Sequence, residues 1–481
     1  MGVSHAYDFW ESPAVQRLGQ FVRERQRAWQ TSTPGFEPFE RELHEQVLAL
    51  ERECLAAELA RYDVDAKQIE VGGVSYHPVW DDTETYLTAA GEVQVQRHLY
   101  RPVGRNAKSI CPLELRVGIV DGYWTPRAAR QGAFVMAQLP PREAEALFEE
   151  LGAMRPSRSS LDRLPRELSG HWEAKREAWE TALRAHETVP EAAVSVAFSV
   201  DGVMVAMKAK AAQRLVKQTE AGKHASGPAG HQEAGCGTVS LYDGEGERVQ
   251  TIRYARMPES KKLTLQAQLQ GEAQALFTTQ PDLRRVHLAD GAEGNWKLLA
   301  EIERALGLSP ETRLEIVDFY HACDHLKNGC DAIWGESTPR SQAEFLRLRT
   351  LLQEEDGSAE RIIRAFKHHA SRTTGNHQRR IRTELTYFRN QRPRMNYPAY
   401  LRQHLPIASG VMEAACKTLV TQRLKRSGMA WTRVGGQAIL TFRSLIQSGR
   451  WSRAWNLFAA EYRQIVTVVA SPRSAALPLA A

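Results

Sequence analysis

A chain of 481 residues exceeds one compact core, and at about 150 residues per domain it calls for roughly three domains. Its 42% hydrophobic and 25% charged residues are ordinary for globular proteins and exclude gross disorder. The net charge is only +6, yet Glu is dense from Glu37 to Glu58 while Lys and Arg dominate from Arg361 to Arg453, as expected of a C-terminal half that meets a polyanion.

The six cysteines, at 54, 111, 236, 323, 330 and 416, form no C-x-x-C pair, which argues against a disulfide framework or a zinc ribbon and suits a reducing compartment. The start MGVSHAYDFW lacks the basic and apolar regions of a signal peptide, and no apolar run reaches the roughly 20 residues that span a bilayer. A cytoplasmic protein is expected.

In chain order, residues 1–68 read as an N-terminal helical region. From Phe39 to Arg61, Leu43, Val47, Leu50, Cys54 and Ala57 recur at heptad spacing, which fits either a helix packed on its own domain or a dimerising coiled coil. Residues 69–127 read as a small β unit, with strand formers flanking Ala90-Gly91. Residues 128–190 read as helical. Within them a helix over Pro141–Leu151, a glycine turn and a second helix capped by Ser157 make a helix-turn-helix plausible, with Arg158 and Arg163 placed to contact DNA. Pro165 restricts that second helix to a short or kinked form.

Residues 191–335 alternate strands and helices, the pattern of a mixed sheet. The stretch AVSVAFSVDGVMV carries one acid, Asp201, among strand formers; Asp-Gly between apolar runs also reads as a hairpin. A Gly- and His-rich segment, Thr219 to Gly237, follows, and it fits no phosphate-loop pattern. Asp290 ends the strand Val286–Ala289 and equally suits a helix cap. The segment HACDHLKNGCDAIWG reads as a helix in which His321, Cys323, His325 and Cys330 have zinc-binding atoms at no recognisable spacing, so packing is favoured. Residues 336–400 form a basic helical insertion, which carries Arg361, Arg364, Lys367, Arg372, Arg379, Arg380 and Arg382 and reads as a DNA-contacting face. Residues 401–470 return to the core, with Glu413 in the first turn of a helix that continues through Lys417, Arg423, Lys425 and Arg426 to Gly428. Residues 471–481 form a flexible tail.

The motifs SVDGVMV, HLADGAEGNW, DFYHACDHL and SGVMEAACKTLVTQRLKRSGMAW resemble, in order, those of the ISKra-type insertion-sequence transposases, a DDE group, over about Asp201 to Trp451. The resemblance implies a multidomain α/β protein with a ribonuclease-H-like core and Asp201, Asp290 and Glu413 as catalytic acids. It further implies DNA as partner, both element ends and target, a homodimer or larger synaptic assembly, and a nucleoid-associated bacterial setting. Relatives of this type often carry a cysteine-rich metal knuckle in the region where this chain has only Cys111, so no structural zinc is expected there.

Three converging carboxylates suit two Mg²⁺ ions, for which Mn²⁺ can substitute, and two such ions about 4 Å apart serve phosphodiester cleavage. Asp201 is expected to bridge both, with Asp290 on one and Glu413 on the other; Glu293 and Asp324 are rival acids. Lys417, Arg423, Lys425 and Arg426 are expected to meet phosphates. A ribonuclease-H-like nuclease without strand transfer, and a non-catalytic DNA-binding descendant of a transposase, stay open as alternatives.

Overall fold

The computed structural model describes residues 9–31, 33–102, 104, 108–208 and 230–470; most of the Gly- and His-rich segment and the tail from Ser471 lie outside them. The chain divides into two compact units, Met1–Ala174 with Ser452–Ala481, and Lys175–Trp451. No described helix is long and apolar enough to cross a membrane.

In the first unit β1 (Gln68–Val71), β2 (Val74–Thr88) and β3 (Gly91–Pro102) form an antiparallel sheet in the order β3-β2-β1-β9. Alternation of buried and exposed residues along Glu92–Gln96 shows why: one face of the hairpin covers a core and the other meets water. The last strand, β9 (Val466–Ala470), pairs antiparallel with β1, so the end of the segment assigned from sequence to the catalytic core belongs to this sheet.

Helix Phe36–Ala60 packs on its own unit, with Phe39 stacked on Phe21 of helix Pro13–Ala28 at 5.4 Å and Glu53 accepting from the Ala14 N–H at 3.0 Å. Helix Pro141–Leu151 ends at left-handed Gly152, and Ser157 caps the next helix through its hydroxyl, which accepts from the Ser160 N–H at 3.2 Å. That next helix runs over Arg158–Ala185, 28 residues with Pro165 inside, which sets aside the expectation of a short element. Leu161, Leu164, Leu168 and Trp172 form a buried helical stripe around the proline. Burial at about 1.5–3 kcal/mol per large apolar side chain outweighs the roughly 3 kcal/mol an interior proline costs.

The second unit is built on five strands in the order β6-β5-β4-β7-β8: β4 (Ser195–Ala206), β5 (His231–Tyr242), β6 (Arg248–Arg256), β7 (Arg284–Ala289) and β8 (Arg313–Val317). β4, β5 and β6 are antiparallel neighbours, whereas β4, β7 and β8 run parallel. This mixed sheet is compatible with a ribonuclease-H-like core. β4 is buried from Ser195 to Val200 and β7 from Arg285 to Ala289, although β7 carries Arg285 and His287 among its apolar residues. Helix Leu263–Thr279 leads into β7, and helix Glu293–Ala305 connects β7 to β8. Helix Phe319–Trp334 follows β8, and the helices Pro339–Glu354, Ser358–Ser371 and Gly375–Gln391 fall within the insertion.

Candidate active site

Asp201 lies inside β4, paired with Cys236, and Gly202 is paired with Gly235. The strand passes straight through the Asp-Gly step, so the hairpin reading is set aside. Gly202 has a packing reason: a side chain there would collide with Glu233, whose Oε1 lies 1.8 Å from the position a Cβ would take.

In the parallel pairing of β4 with β7, Ser199 stands opposite Leu288. Two residues farther along each strand come Asp201 and Asp290, so both acids fall at the same level where β7 ends. Residues level on neighbouring parallel strands, about 4.8 Å apart, point to the same face. The electrostatics agree. Burial raises the Asp201 carboxyl above the ordinary aspartate range; the Gly202 N–H, at 2.7 Å, opposes it, the charge of Asp290 raises it further, and His321 and Lys262 lower it.

Asp290 is held by two donors on one oxygen. Oδ1 accepts from the Ala292 N–H at 2.9 Å and from Asn295 Nδ2 at 3.1 Å. Asn295 Oδ1 accepts in turn from Lys262 Nζ at 3.3 Å, and Lys262 pairs with Glu233 at 2.9 Å. Lys261 and Lys262 both have a φ of +53°, uncommon for residues with side chains. Such strain concentrates at functional sites, and the charge of Lys262 reaches Asp201.

Asp318, directly after β8, is 2% exposed and ties three elements together. Its N–H donates to Ala289 O at 2.8 Å beside Asp290, and its Oδ1 accepts from the His321 N–H at 2.7 Å. Its Oδ2 accepts from the Ser409 N–H, at the start of the helix that bears Glu413. Burial works against ionisation of Asp318, but the bonds from His321 and Ser409 outweigh it and hold the carboxyl below its ordinary range. Asp318 in turn raises the His321 imidazole, against burial, and the charges of Asp290 and Asp201 add to that rise.

Glu413 occupies the first turn of helix Gly410–Ala415 and is exposed, with no side-chain hydrogen bond or ion pair among the described residues. Its helix is nevertheless docked at the site. Three residues on, the Cys416 thiol donates to Asp201 Oδ2 at 3.7 Å. A hydrogen bond with Cys236, then burial, then the charge of Asp201 push the Cys416 thiol far above its ordinary value.

Beyond Ala415 the helix widens into a π-helical segment, Cys416–Thr421, and ends with Gln422–Leu424, short of the expected stop at Gly428. Met412, Ala415, Cys416, Leu419, Val420 and Leu424 are buried, and Arg423 falls on the same stripe. Arg423 is 1% exposed, with its guanidinium 5.3 Å from the Trp431 ring centre, which corrects its assignment to the DNA-binding set. Lys417, Lys425 and Arg426 are exposed.

Arg158 and Arg163, in the other unit, are about three-fifths exposed and each pairs with an acid at 3.2 Å, Glu145 and Asp121 respectively. The rivals for the third acid stand apart from the aspartate pair in character: Glu293 is 81% exposed and paired with Lys297, and Asp324 is exposed on helix Phe319–Trp334.

The structure thus brings Asp201 and Asp290 together and sets the Glu413 helix against them. Lys262, Asn295 and Asp318 are additions that sequence reasoning missed, and His321 was weighed there only for zinc. Asp318 had a local signal, an Asp directly before an apolar-periodic helix. Among the described residues no three His, Cys, Asp or Glu side chains lie close enough to hold one metal ion. The donor chemistry of the aspartate pair does fit a hard cation, since Mg²⁺ takes one or two carboxylates and completes its shell with water and substrate oxygens.

No family model matches the chain, and no curated protein matches it. Among solved structures, a Drosophila P element transposase strand transfer complex is similar at 12% identity, covering 69% of this chain and 80% of that one, with a TM-score of 0.24. At that score the likeness carries no weight for fold or function, and the resemblance to ISKra-type transposases stands on its motifs alone.

Proposed function

We propose that the chain is a DDE transposase, binding the ends of a mobile DNA element and catalysing metal-dependent strand cleavage and strand transfer. The observation that carries this reading is the pair Asp201, within β4, and Asp290, directly past the end of its parallel neighbour β7, close enough for the charge of one to act on the other, with the segment after the Glu413 helix bonded to Asp201. The strand order, three antiparallel strands followed outward by two parallel ones, supports a ribonuclease-H-like core.

Asp201 and Asp290 would hold Mg²⁺, with Glu413 as the third acid; Mn²⁺ could replace it. When bound, the ions supply activation of the attacking oxygen and stabilisation of the leaving one. The chain's own groups prepare that arrangement. Asn295 and the Ala292 N–H occupy Oδ1 of Asp290 and leave Oδ2 for a ligand, while Lys262 and His321 offset the charge of the two acids before DNA arrives. In the first step water oxygen bonds to phosphorus and the P–O3′ bond breaks, leaving a 3′-hydroxyl. In the second, the oxygen of that hydroxyl bonds to a target phosphorus and the target P–O3′ bond breaks, the departing 3′-oxygen taking the proton. Arg158 and Arg163 are proposed DNA contacts and Lys417, Lys425 and Arg426 proposed phosphate contacts, and the working form a homodimer or larger synaptic assembly.

The test incubates the full chain with Mg²⁺ and DNA carrying the sequences that flank its reading frame. Nicked ends bearing 3′-hydroxyls and joined products are expected. Cleavage without joining would reduce the function to a nuclease, and binding without cleavage would overturn the catalytic reading.

A further inference from the structure

The helical insertion plays no part in the chemistry above, yet one of its helices is fastened to the site. Tyr387 donates through its hydroxyl to Asp290 O at 3.2 Å, and Gln391 Nε2 donates to Gly291 O at 2.9 Å. Gly291 has a φ of +103°, and a Cβ there would sit 3.1 Å from the Tyr387 ring. Glu384, on the same helix, pairs with His325 at 2.6 Å. These contacts fix helix Gly375–Gln391 to the turn that carries Asp290.

Another face of that helix is exposed and basic. Arg379, Arg382 and Arg389 are spaced three and seven apart with Thr386 between, so at 3.6 residues per turn they share a stripe within about 80° of arc. Ile381, Leu385 and Phe388 bury the opposite side. On the neighbouring helix Ser358–Ser371 and just past its end, Arg364, Lys367 and Arg372 are exposed in the same way.

Three exposed arginines nearby are paired: Arg347 with Glu344, Arg361 with Glu355 and, just past the insertion, Arg402 with Asp356. Arg379, Arg382 and Arg389 pair with no carboxylate among the described residues. A local excess of positive charge registers at His369, whose imidazole is lowered by burial and then by His368, Arg372 and Arg340.

We propose that helix Gly375–Gln391 is a phosphate rail for duplex DNA, with Arg379, Arg382 and Arg389 gripping the backbone on the face turned away from the Tyr387 and Gln391 contacts. The absence of exposed rings on this face selects the duplex over a single strand, whose bases need aromatic platforms. Phe366 and Phe388 are buried against each other at 5.7 Å, and Tyr387 is stacked on His325 at 3.5 Å. As contacts to phosphate and not to base edges, these arginines position the substrate without reading its sequence.

The proposal rests on the DNA-processing reading, but its test needs no chemistry. Binding of the full chain to a short duplex of arbitrary sequence is titrated against salt, in chelator, for wild type and for Arg379→Gln/Arg382→Gln/Arg389→Gln. Each lost phosphate contact lowers the slope of log affinity against log salt by about 0.9 on B-form DNA, so a drop of about 2.7 is expected. Arg347→Gln/Arg361→Gln/Arg402→Gln removes as many charges and should leave the slope unchanged. Thr383→Glu/Thr386→Glu, which puts acids on the exposed face without touching an arginine, should weaken binding if the triple variant folds poorly.

An unchanged slope in the triple variant overturns the proposal, as does an equal drop in the paired-arginine control, which would mean a response to net charge alone. Loss confined to single-stranded DNA or to an RNA duplex overturns it as well. A full drop in slope alongside an enzyme that never cuts would uphold the rail and remove the transposase reading.

Discussion

Asp201 is a carboxylate held in a poor place for charge, and that gives its substitution a definite signature. Burial first, and Asp290 next, raise its carboxyl in the folded chain. A raised folded value means that wild type loses stability as pH climbs from the unfolded aspartate value, about 3.9, through the folded one. Asn does not ionise, so Asp201→Asn should melt at the same temperature as wild type near pH 3 and at an equal or higher temperature at pH 7, by thermal unfolding without metal. Asp318 should behave oppositely. Its carboxyl is lowered, so its contribution is present above about pH 3.9 and fades as pH falls through the folded value. Asp318→Asn should cost about 1–3 kcal/mol at pH 7, the range for hydrogen bonds to a charged group, and the deficit should shrink in acid. A deficit independent of pH would show that shape, and not charge, is what Asp318 supplies.

Helix Gly410–Ala415 and its continuation show how one element serves both core and site. The stripe from Met412 to Leu424 packs on β4 and β5, and Glu413 lies off it, in the exposed first turn. Arg423 belongs to the stripe, so Arg423→Ala should lower the melting temperature and leave the salt slope of DNA binding in place. Lys425→Ala should do the reverse, lowering the slope by about one. Elsewhere in this unit, Arg450 closes a bidentate pair with Glu272 at 2.8 Å on both arms and also bonds Glu187 and the Tyr254 hydroxyl. Arg450 is 2% exposed, and removing one partner of such a pair costs about 3–5 kcal/mol. Glu272→Gln should therefore destabilise the chain by that order in chemical denaturation, with m unchanged.

Across the molecule, what depends on neighbours in sequence was legible and what depends on distant partners was not. Alternation and turn residues located β4 to β8 and the helices between them; an acid amid strand formers singled out Asp201, and an acid ending a strand singled out Asp290. The register that sets those two level arises from pairing across more than eighty residues, and Ser409 reaches Asp318 across ninety-one. Arg423 was misread because its charge was weighed before its place on an apolar stripe of three-and-four spacing, a signal the sequence did contain. Pro165 was misread because local cost was set above the buried stripe that spans it.

The central claim is that Asp201 and Asp290 do the chemistry with Glu413 as third acid. Cleavage of one element-end duplex in Mg²⁺ by equally folded wild type, Asp201→Asn, Asp290→Asn, Glu413→Gln and Asp324→Asn tests it most directly. The account predicts loss by orders of magnitude in the first three variants with binding intact, and near wild-type cutting by Asp324→Asn. Undiminished cutting by Asp201→Asn or Asp290→Asn would contradict it, and cutting by Glu413→Gln with none by Asp324→Asn would move the third acid to Asp324.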